Sequence, residues 1–154
     1  MLRNVSIQSE DVMREHTFDP EEFLASGCEH RTLVSFSKGH TIFRQGEPAN
    51  AAFYIHKGRV KLTIRSESGR EVMIDALASG DFLGENVLQD MSRVDSAIAL
   101  TDCELMRIDK TSMMRAIYRN QEFSKLLISY LLAKKMRYEQ EFSATLRGVV
   151  ISRD

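Results

Sequence analysis

Between residues 32 and 108 the apolar positions fall in short alternating runs separated by glycine-bearing turns. Leu33, Phe36, Ile42 and Phe43 open the series, and Phe53-Tyr54-Ile55 follows. Val60, Leu62 and Ile64 then alternate strictly with polar residues, and Val72, Ile74, Ala76, Phe82-Leu83, Ile98, Leu100, Leu105 and Ile108 continue the texture. Period-two runs bounded by turns at this spacing predict a mainly β fold, an antiparallel sandwich or barrel. Gly58, Gly69 and Gly80 stand eleven residues apart, which suits hairpin turns joining strands of similar length. Ser68-Gly69 reads as a two-residue turn.

Helical patterns flank this region. Asp19-Pro20-Glu21-Glu22 is a helix start, with Asp19 as cap, Pro20 at the first position and Glu22 where a capping-box carboxylate sits. Phe23 and Leu24 are expected to pack inward, and Gly27 to end the helix. Asp109 is placed to cap a helix over Lys110 to Tyr118, and Asn120 to cap a longer one from Gln121 to about Leu146, with Glu122 in its first turn. The first half of the long helix is apolar enough to pack on the β region through Phe123, Leu126, Leu127, Tyr130 and Leu131. Its second half carries a sparse stripe, Leu132, Met136, Glu139, Ser143 and Leu146, at steps of four and three. A long helix with such a stripe predicts pairing with a second helix, and Leu132, Met136 and Leu146 are the expected dimer contacts. A solvated helix with incidental apolar residues is the alternative. The chain therefore divides into a polar segment over 1–18, one domain over 19–147 and a tail over 148–154.

Composition narrows the function. At 154 residues the chain suits one domain with one core. With 21 basic and 22 acidic side chains the net charge is -1, which argues against binding nucleic acid through bulk charge. Cys28 and Cys103 are far apart, too few for a disulfide scaffold, a four-cysteine zinc site or an iron–sulfur cluster. The polar stretch Met1 to Glu15 has no signal-like apolar run, and no segment approaches the roughly 18 apolar residues of a membrane span. A cytoplasmic protein without membrane contact is expected.

The candidate chemistry lies in Gly80-Asp81-Phe82-Leu83-Gly84-Glu85, followed by Arg93. Gly84 precedes Glu85-Asn86-Val87-Leu88, which can form one helical turn. A turn opening at a glycine presents backbone N–H groups and admits an anion closely. Arg93 can return across the loop and offer a planar fork to phosphate oxygens, while Glu85 can accept hydrogen bonds from sugar hydroxyls. A surface hairpin carrying an Arg93–Asp95 pair stays open as the plainer alternative.

Four stretches carry a family resemblance. They are Lys38 to Glu47 (KGHTIFRQGE), Phe53 to Leu62 (FYIHKGRVKL), Gly80 to Glu85 (GDFLGE) and Ala99 to Leu105 (ALTDCEL). In this order they resemble the effector domain of Crp/Fnr transcription regulators, a cyclic nucleotide-binding domain, over residues 35–146. The resemblance implies a jelly roll of about eight strands, a phosphate-binding cassette between two strands and a long C-terminal dimerisation helix. It implies that Gly84, Glu85 and Asn86, with Arg93 and Val94, meet the ribose and phosphate of cyclic AMP or cyclic GMP. It places Glu139 and Gln140 where responsive members carry hydroxyl side chains against the base. The pattern also departs from the family. The loop from Glu85 to Arg93 is about a residue short, and Val94 and Asp95 stand where small or hydroxylic residues are usual. A carboxylate two residues from the arginine would compete with a phosphate for it.

The resemblance implies DNA recognition through a helix-turn-helix domain, and Arg147 to Asp154 is too short to hold one. The expected function is therefore a sensor domain, not an enzyme, that binds a small effector and forms a homodimer. An interaction module making mixed dimers with a full-length homologue, without a ligand, is the second reading. A cupin-like metalloenzyme is the third. His16, His30, His40 and His56 include no His-x-His pair, so no metal site is expected. Cys103 is expected to be buried and inert, and Met113, Met114 and Met136 to pack in helices.

Overall fold

Among the described residues, eight antiparallel strands form two four-stranded sheets, and four of their pairings are nested in the chain. This computed structural model describes residues 18–26, 31–89 and 91–153, with side chains described up to residue 147. Its elements are α1 (Pro20–Ser26), β1 (Arg31–Phe36), β2 (Thr41–Phe43), β3 (Ala51–Lys57), β4 (Arg59–Arg65), β5 (Glu71–Ala78), β6 (Phe82–Leu83), a 3-10 turn (Glu85–Gln89), β7 (Ser96–Ala99), β8 (Cys103–Asp109), α2 (Lys110–Arg119) and α3 (Gln121–Arg153). One sheet has the order β1-β8-β3-β6 and the other β2-β7-β4-β5. The pairs β1–β8, β2–β7, β3–β6 and β4–β5 nest inside one another, so the chain is one long hairpin rolled up, the jelly roll of the sequence expectation. The chain groups into two units, Asp19–Ala116 and a second that joins Phe18 to the segment from Ile117 onward.

Inward positions of both sheets make the core: Phe43, Phe53, Ile55, Val60, Leu62, Leu77, Leu83 and Leu105 are all buried. Three sequence expectations about these strands change. Leu33 faces solvent, 55% exposed, because β1 points Val34 and Phe36 toward the core side. The β4–β5 ladder carries a bulge opposite Leu62 and Thr63, with Ile74 of β5 as the extra residue; on β4, Thr63 is buried and Ile64 is partly exposed. The same irregularity moves the inward position of β5 from Ala76 to Leu77.

The glycine ladder also divides. Only Gly69 closes a hairpin, and the turn is a three-residue one: Gly69 N donates to Ser66 O at 2.9 Å and Ser66 N to Arg70 O at 2.8 Å. Gly58 and Gly80 are corners where the chain leaves one sheet for the other. At Gly58, φ is +101° and an added Cβ would lie 2.5 Å from the Asp102 carbonyl oxygen and 2.7 Å from Cys103 Sγ. No side chain fits there.

The helix caps are as expected. Asp19 Oδ1 accepts from Glu21 N at 3.0 Å, Asp109 Oδ1 from Ser112 N at 2.8 Å and Asn120 Oδ1 from Phe123 N at 2.9 Å. In α1, Leu24 is fully buried and Phe23 half-buried; Gly27 and Cys28 lie outside the described residues. In the second unit, Phe123 and Leu127 are buried and the Phe18 ring packs at 6.2 Å from that of Phe123. Helix α3 runs through Gly148 to Arg153, longer than the sequence predicts, since one glycine costs a helix only about 1 kcal/mol. No described helix is long and apolar enough to cross a membrane.

Candidate functional site

The connection from β6 to β7 carries the sequence-predicted cassette. Gly84 leaves β6 with φ +75°, and the next residues wind into the 3-10 turn Glu85–Gln89, closed by Val87 N to Gly84 O at 3.2 Å. The expected helical turn is present. Val87 is buried and anchors it, while Glu85 and Asn86 are half-buried. Arg93, three residues before β7, is pinned by its backbone to the β2–β3 loop: Gly46 N donates to Arg93 O at 2.8 Å and Arg93 N to Glu47 O at 2.7 Å. A bridge between Pro48 and Ser92 extends this pairing.

The Arg93 side chain turns inward and is only 3% exposed. Its Nη1 donates to Gly84 O at 2.8 Å and to Asn86 Oδ1 at 3.2 Å, and its Nη2 donates to the Ala51 carbonyl oxygen on β3. Its guanidinium carbon lies 4.2 Å from the centroid of the Phe43 ring. Asn86 completes the clamp, its Nδ2 donating to Ser92 O at 3.0 Å. A Cβ on residue 84 would sit 2.7 Å from Arg93 Nη1, so glycine is required there for the arginine as well as for the backbone. Burial lowers the pKa of Arg93 from the usual arginine value, and the carboxylates of Asp95, Glu85 and Glu47 pull it back up.

The structure thus brings Gly84, Asn86 and Arg93 into direct contact, with Glu85 beside them. Val94 points to solvent, 52% exposed. The sequence reading missed Phe43, Ala51 and Glu47 as partners of the arginine. Their only signal was Gly46-Glu47 within the resembling stretch, because Ala51 lies 42 positions from Arg93. Glu139 and Gln140 stand exposed on α3, and Glu139 pairs with Lys135 at 2.5 Å. Leu132, Met136 and Leu146 are exposed on the same helix, as are Ile128 and Phe142. Glu21 meets His56 at Nδ1 and Glu104 lies 4.0 Å from its Nε2, so the two carboxylates address opposite ring nitrogens and do not converge on one ion. No group of three potential metal-ligating side chains occurs among the described residues.

Nested strand pairs around a glycine-opened turn that closes on an arginine define a cyclic nucleotide-binding domain. The chain belongs to that family: residues 33–120 match the model of the cyclic nucleotide-binding domain. It is 30% identical over 105 residues to a CRP-like cAMP-activated global transcriptional regulator of Mycobacterium tuberculosis, covering 68% of this chain and 46% of the relative. It is 31% identical over 114 residues to the cAMP-activated global transcriptional regulator CRP of Salmonella typhimurium, covering 73% and 54%. Among solved structures, the catabolite activator protein of Thermus thermophilus matches with a TM-score of 0.70 at 27% identity, over 86% of this chain and 62% of that one. The chain spans about half the length of these curated relatives.

Proposed function

We propose that this chain is the effector domain of a Crp/Fnr-like transcription regulator, pairing through α3 and taking a small effector at the cassette. Cyclic AMP or cyclic GMP is the proposed effector, with Gly84, Glu85 and Asn86 facing its sugar and phosphate. The observation that carries this reading is the Gly84–Arg93 clamp, which joins the effector turn to β2 and β3. A phosphate reaches Arg93 only by displacing the Gly84 and Ala51 carbonyls, so ligand entry would loosen the turn from the core. Pairing is supported by the exposed apolar residues Ile128, Leu132, Met136 and Leu146. DNA recognition would come from a helix-turn-helix domain outside this sequence, in a homodimer or in a mixed dimer with a full-length homologue.

One observation favours a second reading, an effector-independent pairing module. Arg93 is buried and already donates to three protein acceptors, so no charged fork is presented to a ligand. Calorimetry with cyclic AMP and cyclic GMP separates the two. The sensor reading expects binding in the native chain, weakened about tenfold or more by Arg93→Ala, since one charge-assisted contact is worth about 1.5–3 kcal/mol. It also expects Asp95→Ala to tighten binding by removing the competing carboxylate. No heat with either nucleotide, in the native chain and in Asp95→Ala alike, establishes the module reading instead.

A further inference from the structure

The outer face of the β2-β7-β4-β5 sheet holds a cavity of about 650 Å³, in the size range of small-molecule sites. It is separate from the cassette. Along β7, Ala97 and Ala99 point into the core, while Ser96 and Ile98 line this cavity. Its wall is the chain just after β2, fixed across the sheet by Gln45. The Gln45 side chain accepts from Arg65 N at 2.8 Å and donates to Arg65 O at 3.5 Å, and its backbone N donates to Ser96 Oγ at 2.9 Å.

Three features of the lining are unsatisfied by the protein. Thr63 is 3% exposed yet lies on the outer face, and none of the described residues hydrogen-bonds to its hydroxyl. Arg44 and Arg65 bring two guanidinium groups to the same cavity, and neither has an ion pair or a side-chain hydrogen bond among the described residues. Glu71 faces Arg65 directly across the β4–β5 ladder, and no ion pair joins them. Two like charges do not stabilise a sheet face by themselves, and the Thr63 hydroxyl is left open to the cavity.

We infer that this cavity binds a small hydroxylated organic phosphate, with the oxyanion on Arg44 and Arg65 and carbon-borne hydroxyls read by Thr63 and Glu71. Guanidinium forks match phosphate oxygens, an anionic carboxylate accepts only from donors, and Ile98 is the one apolar residue among the described lining residues. The site is independent of the function proposed for the cassette.

Glycerol 3-phosphate is the probe, with glycerol and inorganic phosphate as separate arms, followed by amide chemical shifts and calorimetry on the 154-residue chain. Saturable shifts are expected at Thr41, Thr63, Ser96 and Ile98, with weaker binding of inorganic phosphate and none of glycerol. Arg44→Ala and Arg65→Ala should each weaken binding about tenfold, and Thr63→Val, which keeps the side chain's shape, about threefold or more. Asp95→Ala should change nothing at this site. The inference is overturned by an absence of shifts at about 20 mM probe, a concentration that detects millimolar binding. It is also overturned by shifts centred on Gly84 to Arg93, or by unchanged binding in the Arg44→Ala, Arg65→Ala double variant.

Discussion

Arg93 holds together segments far apart in the chain. Its guanidinium donates to the buried carbonyls of Gly84, which Val87 N also serves, and of Ala51, and losing a partner at a buried acceptor costs about 1–3 kcal/mol. Arg93→Ala should therefore lower the unfolding free energy by about 2–5 kcal/mol in urea titrations. Arg93→Lys should recover only part of this, because a point charge cannot reach both carbonyls as a fork does. Gly84→Ala should cost about 1–3 kcal/mol, since it forces a left-handed backbone and presses on Nη1. Tyr54, beside Phe82, gives a second test. Its pKa is raised by burial first and then by Glu21, Asp19 and Asp81. The unfolded chain releases this proton from about pH 10 while the folded one holds it, so stability falls as pH rises above that value. Tyr54→Phe should flatten that alkaline decline in pH-dependent melts. The sequence marks the cassette residues because glycine, glutamate and arginine keep a recognisable order. It does not show whether the arginine faces ligand or core, because that is decided by Phe43 and Ala51, brought in by tertiary pairing.

The elements differ in how openly the sequence declares them. Helix starts were legible because a cap is local: Asp19, Asp109 and Asn120 each bond an amide two or three residues on. Asn120→Ala should cost about 1 kcal/mol, measurable as a lower melting temperature. Strand existence was legible from period two, whereas the bulge at Ile74 of β5 was not, because an extra residue on one strand is defined by its partner. The end of α3 was misread for the opposite reason. Gly148 is a local stop signal that the helix overrides. At 33 residues α3 is about 50 Å long. Its exposed Met136 is the position to test for pairing: Met136→Lys should shift sedimentation equilibrium toward monomer, and a chain that is monomeric at high concentration before any substitution refutes the pairing.

Across the whole molecule, pairing and stability are linked. If α3 carries the interface, folded chains are stabilised by mass action, and the melting temperature should rise with protein concentration. Met136→Lys should remove that dependence while leaving the β region folded. The nested topology adds a constraint of its own. Pairing Arg31 with Ile108 closes most of the domain in one step, so the outermost pair forms only after distant segments meet.

That outermost pair also contains a built-in reporter. Cys103 ends the β1–β8 ladder opposite Phe36, is 3% exposed, and hydrogen-bonds through its sulfur to the carbonyls of Arg59 and Thr101. A thiol reagent reaches it only when β8 parts from its neighbours, so the rate of alkylation in a Cys28→Ser background becomes a clock for the opening of this sheet. Run with and without an added nucleotide, the clock reads ligand binding as a change in the lifetime of the closed roll.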